Sequence, residues 1–139
     1  AALAEELDRV RQIHGIAILY DCHSLRSNIG FLFQGTLPVF NIGTNNSITC
    51  NTYVEQIVHS ACQEMEPSNT VLNGRFKGGW TTRQYGQPET GIHAIQMELA
   101  QRSYMSESYP WSFDMDRAKI LQPKLRRILA ELAKYASAQ

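Results

Sequence analysis

The sequence predicts an α/β protein in three layers, α/β/α, around a mostly parallel or mixed sheet. Two observations carry this. The apolar runs Ile16–Tyr20 and Ile92–Leu99 have the length of buried strands, and the segments flanking them place apolar residues at helical spacing. With 139 residues there is material for one hydrophobic core, so residues 1–139 read as a single domain.

Residues 1–13 read as a helix, with Leu3, Leu7, Val10 and Ile13 forming its apolar stripe. Glu5 and Arg9 are an i,i+4 pair in the favourable order, and Gly15 is the stop signal. The Ile16–Tyr20 strand then runs directly into Asp21, Cys22, His23 and Ser24. In open α/β sheets the carboxyl ends of strands are where chemistry is placed. The segment from Leu25 to Asn51 carries Gly30, Gly35, Pro38 and Gly43, too many turn formers for a long helix. Within it Val39–Ile42 has the character of a short strand, and residues 43–47 that of a polar turn.

Thr52 and Glu55 match a capping box and predict a helix over 52–63. Tyr53, Val54, Ile57, Val58, Ala61 and Cys62 give it a broad buried face. Ile92–Leu99 is the second interior strand. Ile95 and Met97 share a face with His93, while Ala94, Gln96 and Glu98 lie on the other. Residues 101–113 are irregular. A last helix over about 117–135 follows Ala118, Leu121, Leu125, Ile128, Leu129 and Leu132, with Pro123 either kinking it or starting its main segment.

Thirteen basic and thirteen acidic residues give no net charge, and no polybasic block exists, which argues against a nucleic-acid partner. No apolar run reaches membrane-spanning length, and the amino end lacks the pattern of a signal peptide. Three cysteines, Cys22, Cys50 and Cys62, suit a reducing compartment, so a cytoplasmic location is expected.

Three features carry chemistry. His23, beside Asp21, stands at a strand end as a site residue or as a hydrogen-bonded core histidine. Glu98 closes an apolar strand, where an unpaired carboxylate costs several kcal/mol, so it faces water, pairs with a cation or serves a site. Residues 73–86 combine Arg75, Lys77 and Arg83 with four glycines and three aromatics. Such a loop can approach an anion closely and fork a carboxylate, although its spacing is not that of a phosphate loop. Arg26 lies three residues after His23 and is local to the same place.

Four co-linear motifs together resemble the N-formylglutamate amidohydrolases (deformylases). They are Tyr20–Ser27; Leu37-Pro38 with Asn41–Asn45; Asn73–Gly79 with Thr82–Gly86; and His93–Leu99. The resemblance runs from about Leu7 to Leu132. It implies the carboxyl-terminal portion of a fold related to zinc carboxypeptidases and aspartoacylases, since family members are roughly twice as long.

By this resemblance the complete enzyme holds one zinc ion. His23 is its later ligand, and the remaining ligands lie in a missing amino-terminal half. Glu98 and Arg83 take catalytic roles, while Arg26, Arg75, Arg83 and Tyr85 hold substrate carboxylates or the oxyanion. The implied reaction is hydrolysis of N-formyl-L-glutamate to formate and L-glutamate in histidine degradation, on a small dicarboxylate N-acyl amino acid. Alone, the chain is expected to be inactive, to bind zinc weakly, and to self-associate or bind the missing half. Two alternatives are a zinc hydrolase of other N-acyl amino acids or peptides, and a non-catalytic anion-binding domain.

Overall fold

The computed structural model describes residues 2–139. In chain order its elements are helix α1 (Ala2–His14), strand β1 (Ala17–Leu25), strand β2 (Phe40–Gly43), helix α2 (Thr52–Met65), strand β3 (Thr70–Leu72), helix α3 (Trp80–Tyr85), strand β4 (Ile92–Ala100) and helix α4 (Met115–Ala136). The sheet order is β1-β4-β2-β3. β1 runs parallel to β4 and β2 parallel to β3, while β2 is antiparallel to β4, so the sheet is mixed.

Alternation along the strands divides the sheet into two unlike faces. Phe40, Ile42, Ile95 and Met97 point to one face and are fully buried with Val54, Val58 and Cys62 of α2 and Leu121, Ile128 and Leu132 of α4. Burying each large apolar side chain contributes roughly 1.5–3 kcal/mol. α1 lies at the β1 flank of this face, where Leu7 is buried. The opposite face is polar and is covered by the 73–79 loop and α3. The three-layer mixed α/β/α expectation therefore holds.

Several local expectations are corrected. β1 does not end at Tyr20 but continues to Leu25, because β4 pairs with it along its whole length. Asp21 and His23 thus lie within the strand rather than at its end. The short strand occupies Phe40–Gly43, one residue later than Val39–Ile42. β3 has no counterpart among the expected elements, and α3 lies within residues 73–86, read as a loop.

The capping box does not form. Asn51 is the N-cap of α2, its side chain accepting from the Val54 amide at 2.9 Å. Glu55 turns instead to the hydroxyls of Thr44 and Ser47, which fix the turn after β2. Tyr53 is 69% exposed rather than part of the buried face, and it stacks on Tyr135. α4 starts at Met115, well before Pro123, and is capped by Asp114, which accepts from the amides of Asp116 and Arg117. On α1, Arg9 forks the carboxylate of Glu6, and only Leu7 of the apolar stripe is buried.

Candidate active site

The polar face is organised by strand register. Across β1, β4 and β2 one rung reads Asp21–Gln96–Gly43 and the next His23–Glu98–Asn41. Residues paired in register share a face, so six positions form a compact polar and glycine patch.

Glu98 and Gln96 are each 6% exposed, and Asn41 is 4% exposed. The Asn41 amide is satisfied by the carbonyls of Pro38 (2.8 Å) and Glu98 (3.0 Å). His23 is half exposed, and its Nε2 lies 3.0 Å from Asp21 Oδ1. Burial pushes the Glu98 carboxyl above the usual carboxylate range. The charge of His23 and a hydrogen bond from Gln96 oppose that shift, and Asp21 adds to it.

Gln96 is the residue the sequence reading passed over. Its Oε1 accepts from the Gly79 amide at 2.6 Å, and its Nε2 donates to Glu98 Oε2 at 3.3 Å. A backbone N–H can only donate, so the amide oxygen must face Gly79 and the NH₂ must face Glu98. Gln96 therefore ties the glycine-rich loop to the carboxylate. The period-2 alternation that placed it on the Glu98 face was the available signal.

The loop is seated on β2. The Asn73 amide donates to the Ile42 carbonyl (2.7 Å), and the Asn45 amide donates to the Lys77 carbonyl (2.6 Å). The Asn73 side chain accepts from Thr44 N (2.9 Å) and donates to Thr44 Oγ1 (2.7 Å). A Cβ at Gly43 would collide with the Gly78 backbone, so the rung beside Gln96 must end in glycine. Gly78 has φ +106°, a conformation that also favours glycine.

Arg75, Phe76, Lys77, Gly78, Gly79, Arg83 and Gln96 together line a cavity of about 320 Å³. Arg83 is aimed by a hydrogen bond to the Gly78 carbonyl at 3.0 Å. Three cationic residues thus border one hollow together with Gln96, the hydrogen-bond partner of Glu98.

Arg26 and Tyr85 do not line this cavity. Arg26 lies over the ring of Trp111 at 4.6 Å and reaches the Glu107 carbonyl. Tyr85 packs edge-on against Trp80 at 5.9 Å. The resemblance named both, and the structure seats each beside an aromatic ring. Cys22 makes its contact with the Tyr20 carbonyl at 3.6 Å, and alternation puts it on the face opposite His23. Among the described residues, no group of three His, Cys, Asp or Glu side chains is placed to hold a metal ion. No helix among them is long and apolar enough to cross a membrane.

Comparison with known proteins shows the family to which the chain belongs. The model of the N-formylglutamate amidohydrolase family matches residues 1–105. The N-formylglutamate deformylase of Pseudomonas putida is 44% identical over 135 residues, covering 97% of this chain and 51% of that protein. The N-formylglutamate deformylase of Pseudomonas aeruginosa is 45% identical over 130 residues, covering 94% and 49%. The crystal structure of N-formylglutamate amidohydrolase from Ralstonia eutropha JMP134 shares the fold at a TM-score of 0.84 and 22% identity, over 97% of this chain and 49% of that one. The chain spans about half the length of these relatives.

Proposed function

Because the chain belongs to the N-formylglutamate amidohydrolase family, we propose that it supplies half of an enzyme hydrolysing the formyl C–N amide bond of N-formyl-L-glutamate to formate and L-glutamate. The observation that carries this is the register of Glu98 with His23, one rung from a cavity lined by Arg75, Lys77 and Arg83. A dicarboxylate needs several cations at fixed positions, and this chain concentrates them in one hollow although its net charge is zero.

The residues present do not by themselves fit a zinc ion, since one imidazole beside one carboxylate is short of the usual three protein ligands. In the complete protein His23 would be one ligand, and Asp21 would orient its ring as carboxylates do behind metal-bound histidines. The other ligands would come from outside this chain. Zinc so held would supply Lewis acidity to the formyl carbonyl.

The chain's own residues divide the remaining work. Glu98, held basic by its buried setting, takes a proton from the attacking water and returns it to the leaving amine. Gln96 fixes the carboxylate for that transfer. Arg75 and Lys77 bind substrate carboxylate, and Arg83, braced on Gly78, faces the developing oxyanion.

The test is to co-produce the chain with the unmatched half of the Pseudomonas putida relative, add zinc, and assay N-formyl-L-glutamate beside N-acetyl-L-aspartate and a formylated peptide. Formate release chiefly from N-formyl-L-glutamate is expected. A preference for either competitor, or anion binding without hydrolysis, would overturn the reading.

A further inference from the structure

We infer that the hollow between the end of α2 and the first turns of α4 binds a small monocarboxylate with a short aliphatic body. This site is separate from the one that carries the proposed hydrolysis and stands without it.

The fold makes the hollow where β2 begins and β4 ends. The two strands run antiparallel there, and the Ala100 amide donates to the Val39 carbonyl at 3.1 Å. Val39 and Arg102 line the hollow, and Glu66, the C-cap of α2, closes one side. On the other side Arg117, Ile120, Leu121 and Lys124 stand at helical spacing on one face of α4. The volume is about 180 Å³, and no lining residue is shared with the cavity bordered by Arg75 and Arg83.

The charges here do not cancel. Lys124 is paired with Glu66, and Arg117 Nε lies 2.9 Å from an Asp114 carboxylate oxygen. Arg102 is different. Its guanidinium donates to the Ser27 hydroxyl at 2.9 Å, to the Leu37 carbonyl and to the Asn69 side-chain carbonyl at 3.1 Å, all of them neutral. Glu107, a carboxylate in the following loop, accepts from the backbone amides of Arg102 and Ser27 instead. A guanidinium carries five N–H groups. Two of those on Arg102 therefore have no acceptor among the described residues. A cation with spare donors and no carboxylate of its own calls for one anion, and a planar carboxylate matches a guanidinium best.

The walls set the rest of the ligand. Val39, Ile120 and Leu121 contribute hydrocarbon, and Ile120 is left 65% exposed. An inorganic anion leaves that surface bare, whereas an aliphatic body covers it. Glu66 limits the charge. The hydrogen bond from Lys124 holds its carboxyl below the usual range against the opposing effect of burial, so it is ionised at neutral pH and repels a second carboxylate.

The probe is pentanoate, titrated calorimetrically into the chain beside phosphate, pentanedioate and pentanol. Saturable one-to-one binding of pentanoate with a Kd of about 1 mM is expected, with a rise in melting temperature. The other three should bind about tenfold more weakly or worse. Ile120→Glu, at an exposed position, adds a negative charge to the rim and should weaken pentanoate about tenfold. Arg83→Lys, in the other cavity, should leave it unchanged. Glu66→Gln removes the repulsion and should bring pentanedioate within about twofold of pentanoate, a change of preference that lost stability does not produce.

Absence of pentanoate binding overturns the inference, as does binding that persists at full strength in Ile120→Glu. Tighter binding of phosphate, equal binding of pentanol, or a preference unmoved by Glu66→Gln does the same. Loss of binding in Arg83→Lys would put pentanoate in the other cavity and overturn the site proposed here.

Discussion

The two faces of one sheet differ more than any two elements of this molecule. Successive residues of β4 alternate between them. His93, Ile95 and Met97 go to the apolar side, and Ala94, Gln96 and Glu98 to the polar side. The apolar face is filled mainly by side chains that need volume and shape, with His93 accepting from the Asn51 amide at 3.2 Å. The polar face is filled by groups that each need a named partner, such as Gly79 for Gln96 and Gln96 for Glu98. Stability therefore resides on one face and chemistry on the other, in successive residues of the same strand.

That division can be broken from either side. The largest effect is expected from Glu98→Gln in the reconstituted enzyme. It keeps the size of the side chain and removes the proton acceptor, so turnover should fall by ~10²–10⁴. Steady-state kinetics checks this, and turnover within about twofold of the parent would make Glu98 structural.

Phe40→Ala, on the other face, should cost about 3–5 kcal/mol in urea unfolding through the cavity it leaves. It should affect chemistry only through unfolding. Gln96→Leu removes the tie between loop and carboxylate while staying apolar and similar in volume. It leaves the Gly79 amide unpaired, at about 1–3 kcal/mol, and should lower kcat more than its stability loss explains. Thermal melts beside kinetics separate the two.

Arg83→Lys replaces a fork by a point charge. Because Arg83 meets the oxyanion only as it develops, kcat should fall about tenfold with KM and the fold little changed, as a titration of rate against substrate would show.

The smallest effect sharpens the comparison through pH. Glu98 has a raised carboxyl pKa in the folded state, so the folded chain keeps a proton that the unfolded chain has released. Stability contributed by this group is then greatest in acid and declines as pH rises from the unfolded value through the raised folded one. Urea midpoints measured across that window should slope downward with pH in the parent. In Glu98→Gln the slope should be shallower, and the variant should be the more stable of the two near neutrality.

How much of this was legible depends on how local each feature is. Both long strands, the flanking helices and the Glu98 anomaly follow from residue spacing within a few positions. So does the alternation that sets Gln96 beside Glu98. β3 is three residues long and α3 six, below the length at which a periodic pattern declares itself. The cap of α2 was misplaced by one residue because Glu55, the partner a capping box needs, has a stronger engagement with Thr44 and Ser47 across the turn.

The sequence by itself determined which residues point together along a strand, because side-chain alternation has a fixed period of two. It also carried the family motifs on which the likeness to deformylases rests. Only the tertiary structure decided that His23 stands opposite Glu98 and that Gln96 reaches the Gly79 amide. It also decided that Arg83 joins Arg75 at a cavity while Arg26 and Tyr85 are held on Trp111 and Trp80. Register, loop seating and ring stacking join residues far apart in the chain, and no local pattern encodes which of several arginines will meet which partner.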